Sequence, residues 1–273
     1  LPQRFARLAV AGGGEGTEEI SMSDFNRNVA AAHRVGADRA LAIDAGLRAH
    51  MIRVYNYMAA AVGVTGVIAW LTFQLSATTN SAGALVLTPL GEALFGSWIV
   101  FVLMLAPLAL VFFLSWRIDT LEAGTARLLF FVYAALLGVS LASIFLAYTE
   151  TSITRVFFIS AAAFGALSLW GYTTQRDLTG MGSFLIMGLF GIILASLVNL
   201  FLKSSAMDFI ISIVGVLVFA GLTAWDTQKI KEMYDPMDDG TIGGRKAVMG
   251  ALALYLDFIN LFLMLLRLVG DRR

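Results

Sequence analysis

Two aspartates stand where an apolar helix has little room for charge. Asp226 lies in "GLTAWDTQKIKEMY" (221–234), at the edge of a greasy run that begins near Met207, and Asp257 lies in "ALALYLDFINLFLMLLRLVG" (251–270). Measured from Ala247, Asp257 is roughly 15 Å into its segment at about 1.5 Å per residue, near mid-span. An ionised carboxylate facing lipid at that depth costs at least about 2.5–3.5 kcal/mol. Its side chain is therefore expected to face a bundle interior, a wet cavity or a partner. Asn260 follows on the same helical face, so a polar patch points inward. A structural hydrogen-bond knot fits this pattern, as does an ion or proton site. The second is favoured, because a lone carboxylate is a costly way to tie helices together.

Asp226 is less deeply placed, and Thr227, Gln228 and Lys229 follow it. Alone it is accounted for by a helix end or a snorkelling lysine slightly better than by a functional role. Its segment and that of Asp257 meet at the 228–246 connection, so the two acids enter from the same side. Their depths differ by about two helical turns, which tilt or a shifted helix start can close. Two carboxylates in one pocket cannot both ionise cheaply, so a proton is expected to be shared and the site to respond to pH. With both deprotonated, the pair attracts a cation, and calcium favours oxygen ligands in flexible geometry. Two carboxylates are too few for a tight calcium cage. Asn199, Asn260, Thr223 and the hydroxyls of Tyr133 or Tyr255 are supporting candidates, and weak, hydrated occupancy suits a conduction path.

The elements that must position these acids follow from composition. The chain is 59% apolar and 14% charged, against about 25% charged for a soluble domain, and its mean hydropathy is +0.81. It reads as an integral membrane protein. The formal net charge is zero, so no nucleic-acid partner is implied. There is no cysteine, which excludes disulfides, Cys-ligated zinc and thiol nucleophiles. Seven segments are long enough to span hydrocarbon: 55–75, 94–115, 127–148, 155–174, 183–203, 207–227 and 247–268. Lipid leaves no partner for an open backbone, so they are expected to be helices. Small residues within them, including Gly182, Gly188 and Gly191, suit close helix packing or a moving interface.

Basic residues concentrate before the first span and in the connections that alternation places with it, and 76–93 has none. This predicts a cytoplasmic N-terminus and an outside C-terminus. The basic tail "RLVGDRR" opposes that bias, and a re-entrant last segment would return it to the cytoplasmic side. Residues 1–50 read as a flexible cytoplasmic tail with an Ala-rich, helix-capable stretch from about 28. Met22 in "SMSDFNRN" is the expected translation start, and no signal-peptide pattern is present. His33 and His50 are expected at the surface. The connection "KIKEMYDPMDDGTIGGRK" lacks the order of an EF-hand, and neither HExxH nor a phosphate loop occurs.

The segments around Asp226 and Asp257 closely resemble the two C-terminal motifs of the Bax inhibitor-1 family, also called the transmembrane Bax inhibitor motif family. "RLLFFVYAALLGVSLASIF" (127–145) and the stretch from "RVFFISAAAFGALSLWGYTTQRDLTG" to Phe201 are similar to its bacterial members. The resemblance spans roughly 25–270. It implies an all-α, polytopic membrane protein whose seven transmembrane helices, over 51–273, surround a central C-terminal one. It also implies a pH-dependent calcium leak in which paired aspartates, here Asp226 and Asp257, sense pH and line the cation path. An arginine latch on one aspartate belongs to the family's closed form. Arg117, in "FFLSWRIDT", is the candidate, although a membrane-edge orienting charge also accounts for it. "WDTQ" departs from the more usual tyrosine before the acid and leaves the carboxylate intact. A bacterial inner-membrane location follows from the same resemblance, and the cell-death role of eukaryotic relatives is not carried over.

The leading expectation is a pH-sensitive calcium leak channel. A proton-coupled cation transporter, or a non-transporting membrane regulator of protein quality control, are the alternatives. No enzyme activity and no tightly bound cofactor are expected. Calcium is the permeant ion, and the partners are membrane lipid, calcium and protons, with any membrane-protein partner unidentified.

Overall fold

The computed structural model describes residues 22–81 and 84–273, with side chains from residue 43 onward. The flexible-tail reading of residues 1–21 and the side chain of His33 lie outside these. The chain divides into two units, Leu1–Ala45 and Gly46–Arg273. The first, where described, is helical backbone. The second holds the spans, apart from the first three residues of the first one.

In chain order the elements are α1 (Met22–Ser76), β1 (Ala77–Thr79), β2 (Leu85–Leu87), α2 (Pro89–Phe95), α3 (Ile99–Arg117), α4 (Ala123–Leu141), α5 (Ile144–Ala147), α6 (Glu150–Thr173), α7 (Thr179–Leu202), α8 (Ser205–Glu232) and α9 (Gly240–Val269). Among the described residues seven spans are long and apolar enough to cross a membrane: Ile43–Ser76 of α1, α3 with the turn to Thr120, α4 with α5, and α6 to α9. The protein is thus an all-α polytopic membrane protein. The connection after α1 adds a small antiparallel hairpin, β1 against β2, which the sequence reading missed.

Helix ends follow local chemistry more than hydropathy. α8 and α9 both run past their apolar stretches. Lys229 and Lys231 lie in the last turn of α8, where cations complement the helix dipole. Asp239 starts α9 by accepting from the amides of Thr241 and Ile242 at 2.9 and 2.7 Å. Thr149 and Ser204 cap α6 and α8 in the same way.

α9 is the most enclosed span: 67% of its most apolar window is buried inside the protein, against 11% for α3 and for α7. It packs on α8, α6 and α4, and Tyr255, Leu252, Leu254, Leu261 and Leu266 are fully buried along it. It is also unbroken. Its 30 residues extend about 45 Å, more than the roughly 30 Å of hydrocarbon. The re-entrant alternative is therefore overturned, and the tail emerges at the end of the bundle opposite the 233–239 connection. There Arg272 bridges Tyr148, and the Arg273 amide donates to the Ala147 carbonyl at 3.0 Å. The tail's charges are paired locally, Arg155 with Asp271 at 3.0 Å and Arg273 with Glu150 at 3.8 Å.

Candidate functional site

The site grows out of the α8–α9 interface. Two small residues set its register: Gly250 packs on Ile230, and Gly215 on Met264. In this antiparallel alignment Asp226 lies level with Leu254. Asp257 is then about 4.5 Å further along the axis, one turn away rather than two. A close approach of α6 to α8 holds the other side, because a side chain at Gly171 would collide with the Ala224 carbonyl. Gly182 of α7 lies against the Trp225 ring for the same reason.

Asp257 is 4% exposed, and Asp226 is half-buried. Their carboxyl groups come close enough across the interface for the charge of each to bear on the other. Two carboxylates this close in a dry interior favour sharing a proton over ionising together. Asp257 Oδ2 is buried without a hydrogen-bond partner among the described residues. Such a group is expensive to leave unmade unless it serves an ion, a water or a proton. Asp226 does not mark a helix end, since α8 continues to Glu232. The positive charge that bears on it is that of Lys229, whose ammonium lies 5.0 Å from the centre of the Trp225 ring and whose side chain is exposed.

The supporting candidates divide. Thr223 is fully buried on α8, but its hydroxyl donates to the Phe219 carbonyl at 2.8 Å. Asn260 turns back to the Leu256 carbonyl at 2.8 Å. Both bond their own helix rather than the aspartates. Asn199 is at the far end of α7, where it accepts from the Ser204 amide at 3.0 Å; it belongs to the tail end of the bundle. Arg117 is exposed at the end of α3, and among the described residues it pairs with neither aspartate. Its position is that of a membrane-edge charge. His50, expected at the surface, is instead 6% exposed and packs on Tyr234 with ring centres 5.9 Å apart. The shallow groove that Gly46 leaves for the Tyr234 hydroxyl makes room for this contact.

Sequence reasoning missed two buried hydroxyl networks. Tyr55 meets Ser168 at 2.6 Å, Ser168 meets Thr227 at 2.8 Å, and Thr227 donates to the Thr223 carbonyl at 2.7 Å. This row joins α1, α6 and α8 beside the Asp226 turn. On the other flank Thr65 meets Tyr255 at 2.6 Å and donates to the Ala134 carbonyl at 2.9 Å. Tyr255 also stands edge-on to Tyr133 and Phe130. Thr223 and Thr227, one turn apart on α8, were the signal available for the first network. Among the described residues no cluster of three His, Cys, Asp or Glu side chains could hold a metal ion. A cation at the pair would draw its other ligands from water and carbonyls.

Fold and site together define a helical membrane protein with an acidic pair enclosed between its last two helices. The family model described as "Inhibitor of apoptosis-promoting Bax1" matches residues 47–273, and the chain belongs to that Bax inhibitor-1 family. The inner membrane protein YbhL of Escherichia coli is 48% identical over 232 residues, 84% of this chain and 94% of YbhL. The uncharacterized protein RP147 of Rickettsia prowazekii is 48% identical over 230 residues, 84% and 92% of the two chains. A protein of Caulobacter vibrioides is 43% identical over 260 residues, covering 92% of this chain and all of its own.

Proposed function

We propose that this protein is a passive, pH-sensitive calcium leak in a bacterial inner membrane, gated by Asp226 and Asp257, and that it carries out no enzymatic reaction. What supports this reading is the approach of two acids on the apolar helices α8 and α9, with Asp257 Oδ2 buried and without a hydrogen-bond partner among the described residues. Calcium is the permeant substrate, held weakly by two carboxylates and water; no tightly bound cofactor is required. Deprotonation of the pair puts negative charge at mid-membrane, which draws in the cation and drives the two side chains apart. Protonation allows the mutual hydrogen bond and removes the attraction, so flux falls as pH falls. The inner-membrane location rests on the printed name of YbhL and on the seven spans.

Calcium uptake into proteoliposomes over a pH series tests this. A uniform flux at all pH values, or a strict requirement for a proton gradient, would overturn the leak reading and favour a coupled transporter. No flux for any cation would favour the membrane-regulator alternative. Orientation is tested directly because the chain contains no cysteine. A single cysteine in the 233–239 connection should react only from the cytoplasmic side, and one in the 76–93 connection only from outside. The reverse pattern would invert the topology.

A further inference from the structure

The tail end of the bundle carries basic residues on the side that charge bias predicts to be poor in them, and they are not scattered. Lys203 ends α7, Arg267 lies in the last turn of α9, and Arg272 follows in the tail. All three line two adjoining cavities of about 420 Å³ each, together with Asn199 and a single carboxylate, Asp208. The volume is that of a small-ligand site.

Asp208 does not satisfy this charge. Its oxygens lie 3.9 Å from Arg267 Nη1 and 3.7 Å from Arg272 Nη2, too far for hydrogen bonds. Asp208 thus pairs loosely with both guanidiniums, one negative charge against three positive ones around the cavity. Lys203 has no carboxylate partner among the described residues. It holds a left-handed backbone at φ 50°, the one such non-glycine conformation among them, which ends α7 sharply. The first turn of α8 begins at once, and Ser204 and Ser205 at its positive end line the cavity. An oxyanion placed here would meet two guanidiniums, an ammonium and a helix N-terminus, set against the single Asp208 carboxylate. Beside the cavity Leu200, Phe201 and Phe209 are 66%, 81% and 56% exposed, an apolar rim that lipid chains would cover.

We propose that the cavity between the α7–α8 turn and the end of α9 binds the phosphate of an anionic phospholipid, with the acyl chains along the exposed apolar rim. Basic pockets between spans recognise lipid head groups in this way, and arginine suits phosphate through paired donors. The apolar rim and the membrane setting favour a lipid over a free phosphate ion. Occupancy would pin the end of α9 to α7 and α8, on the helix that carries Asp257.

The test uses full-length protein in neutral detergent, with phosphatidylglycerol and phosphatidylcholine of identical chains titrated against it by native mass spectrometry. Wild type should retain phosphatidylglycerol about tenfold more tightly, and Arg272→Gln and Lys203→Asn should each lose about fivefold. The Asn variant keeps the left-handed backbone accessible. Arg272→Lys should bind between wild type and Arg272→Gln, since it keeps the charge but loses the paired donors, which separates charge loss from misfolding. Arg155→Gln, on the same face but paired with Asp271 outside the cavity, should retain wild-type binding. Equal binding of the two lipids overturns the proposal. So does an equal loss in Arg155→Gln, which would show a diffuse surface charge. Displacement of phosphatidylglycerol by inorganic phosphate at matched concentration would reassign the cavity to a free anion.

Discussion

The α8–α9 interior and the tail end of the bundle treat charge in opposite ways. Inside, two carboxyl groups share one space between helices, and one oxygen of Asp257 is buried without a hydrogen-bond partner among the described residues. At the tail end, charges of both signs meet where water reaches them, as with Arg155 and Asp271, whose side chains are 51% and 66% exposed. Low dielectric makes the first arrangement sensitive to every proton and cation, whereas solvent screening leaves each surface pair nearly neutral in energy. A protein can therefore carry many ion pairs with little consequence and a single buried acid pair with a large one.

Removing the buried charges should show the largest contrast. Asp257→Asn is expected to lower calcium flux about ten- to a hundredfold, and Asp226→Asn less, because Asp226 is only half-buried. Wild-type flux should fall as pH falls, and Asp226→Asn should flatten that profile by removing the partner that shares the proton. The double variant should lose much less than the two single losses combined, since either change already breaks the shared site. Liposome uptake matched for incorporation measures all four proteins. Strictly additive losses would reject a cooperative pair.

The packing that presses the interior together comes next. Gly171→Leu would force α6 away from the Ala224 carbonyl, at a cost of about 1–3 kcal/mol in stability. Thermal unfolding in detergent should show it, and an unchanged midpoint would mean that the helices are not held at this distance. Thr227→Val should cost about 1 kcal/mol by cutting the row from Tyr55 through Ser168. If the row only ties helices, the flux–pH profile of this variant will match wild type. Arg155→Gln should be the mildest change, within about 0.5 kcal/mol and smaller still at high salt. A larger loss would break the contrast, making a surface pair as consequential as a buried group.

Much of this was legible in the residues themselves. The seven apolar stretches predict seven spans because hydrocarbon leaves the backbone no other partner, and the depth of Asp257 alone says that it must face inward. That it would meet Asp226 was also readable, from two acids entering at one connection. Hydropathy could not say where α8 and α9 end, because Lys229, Lys231 and Asp239 extend helices by capping and dipole effects that an apolar window does not register. Nor could it distinguish Asn260 and Thr223, which turn back on their own helices, from residues that reach the pair, since both choices share one helical face. The fate of the tail, the burial of His50 and the convergence of Lys203, Arg267 and Arg272 depend on contacts between residues far apart in the chain. Local chemistry determined which groups could not face lipid, and only the packing of α9 among its neighbours decided which groups they would meet.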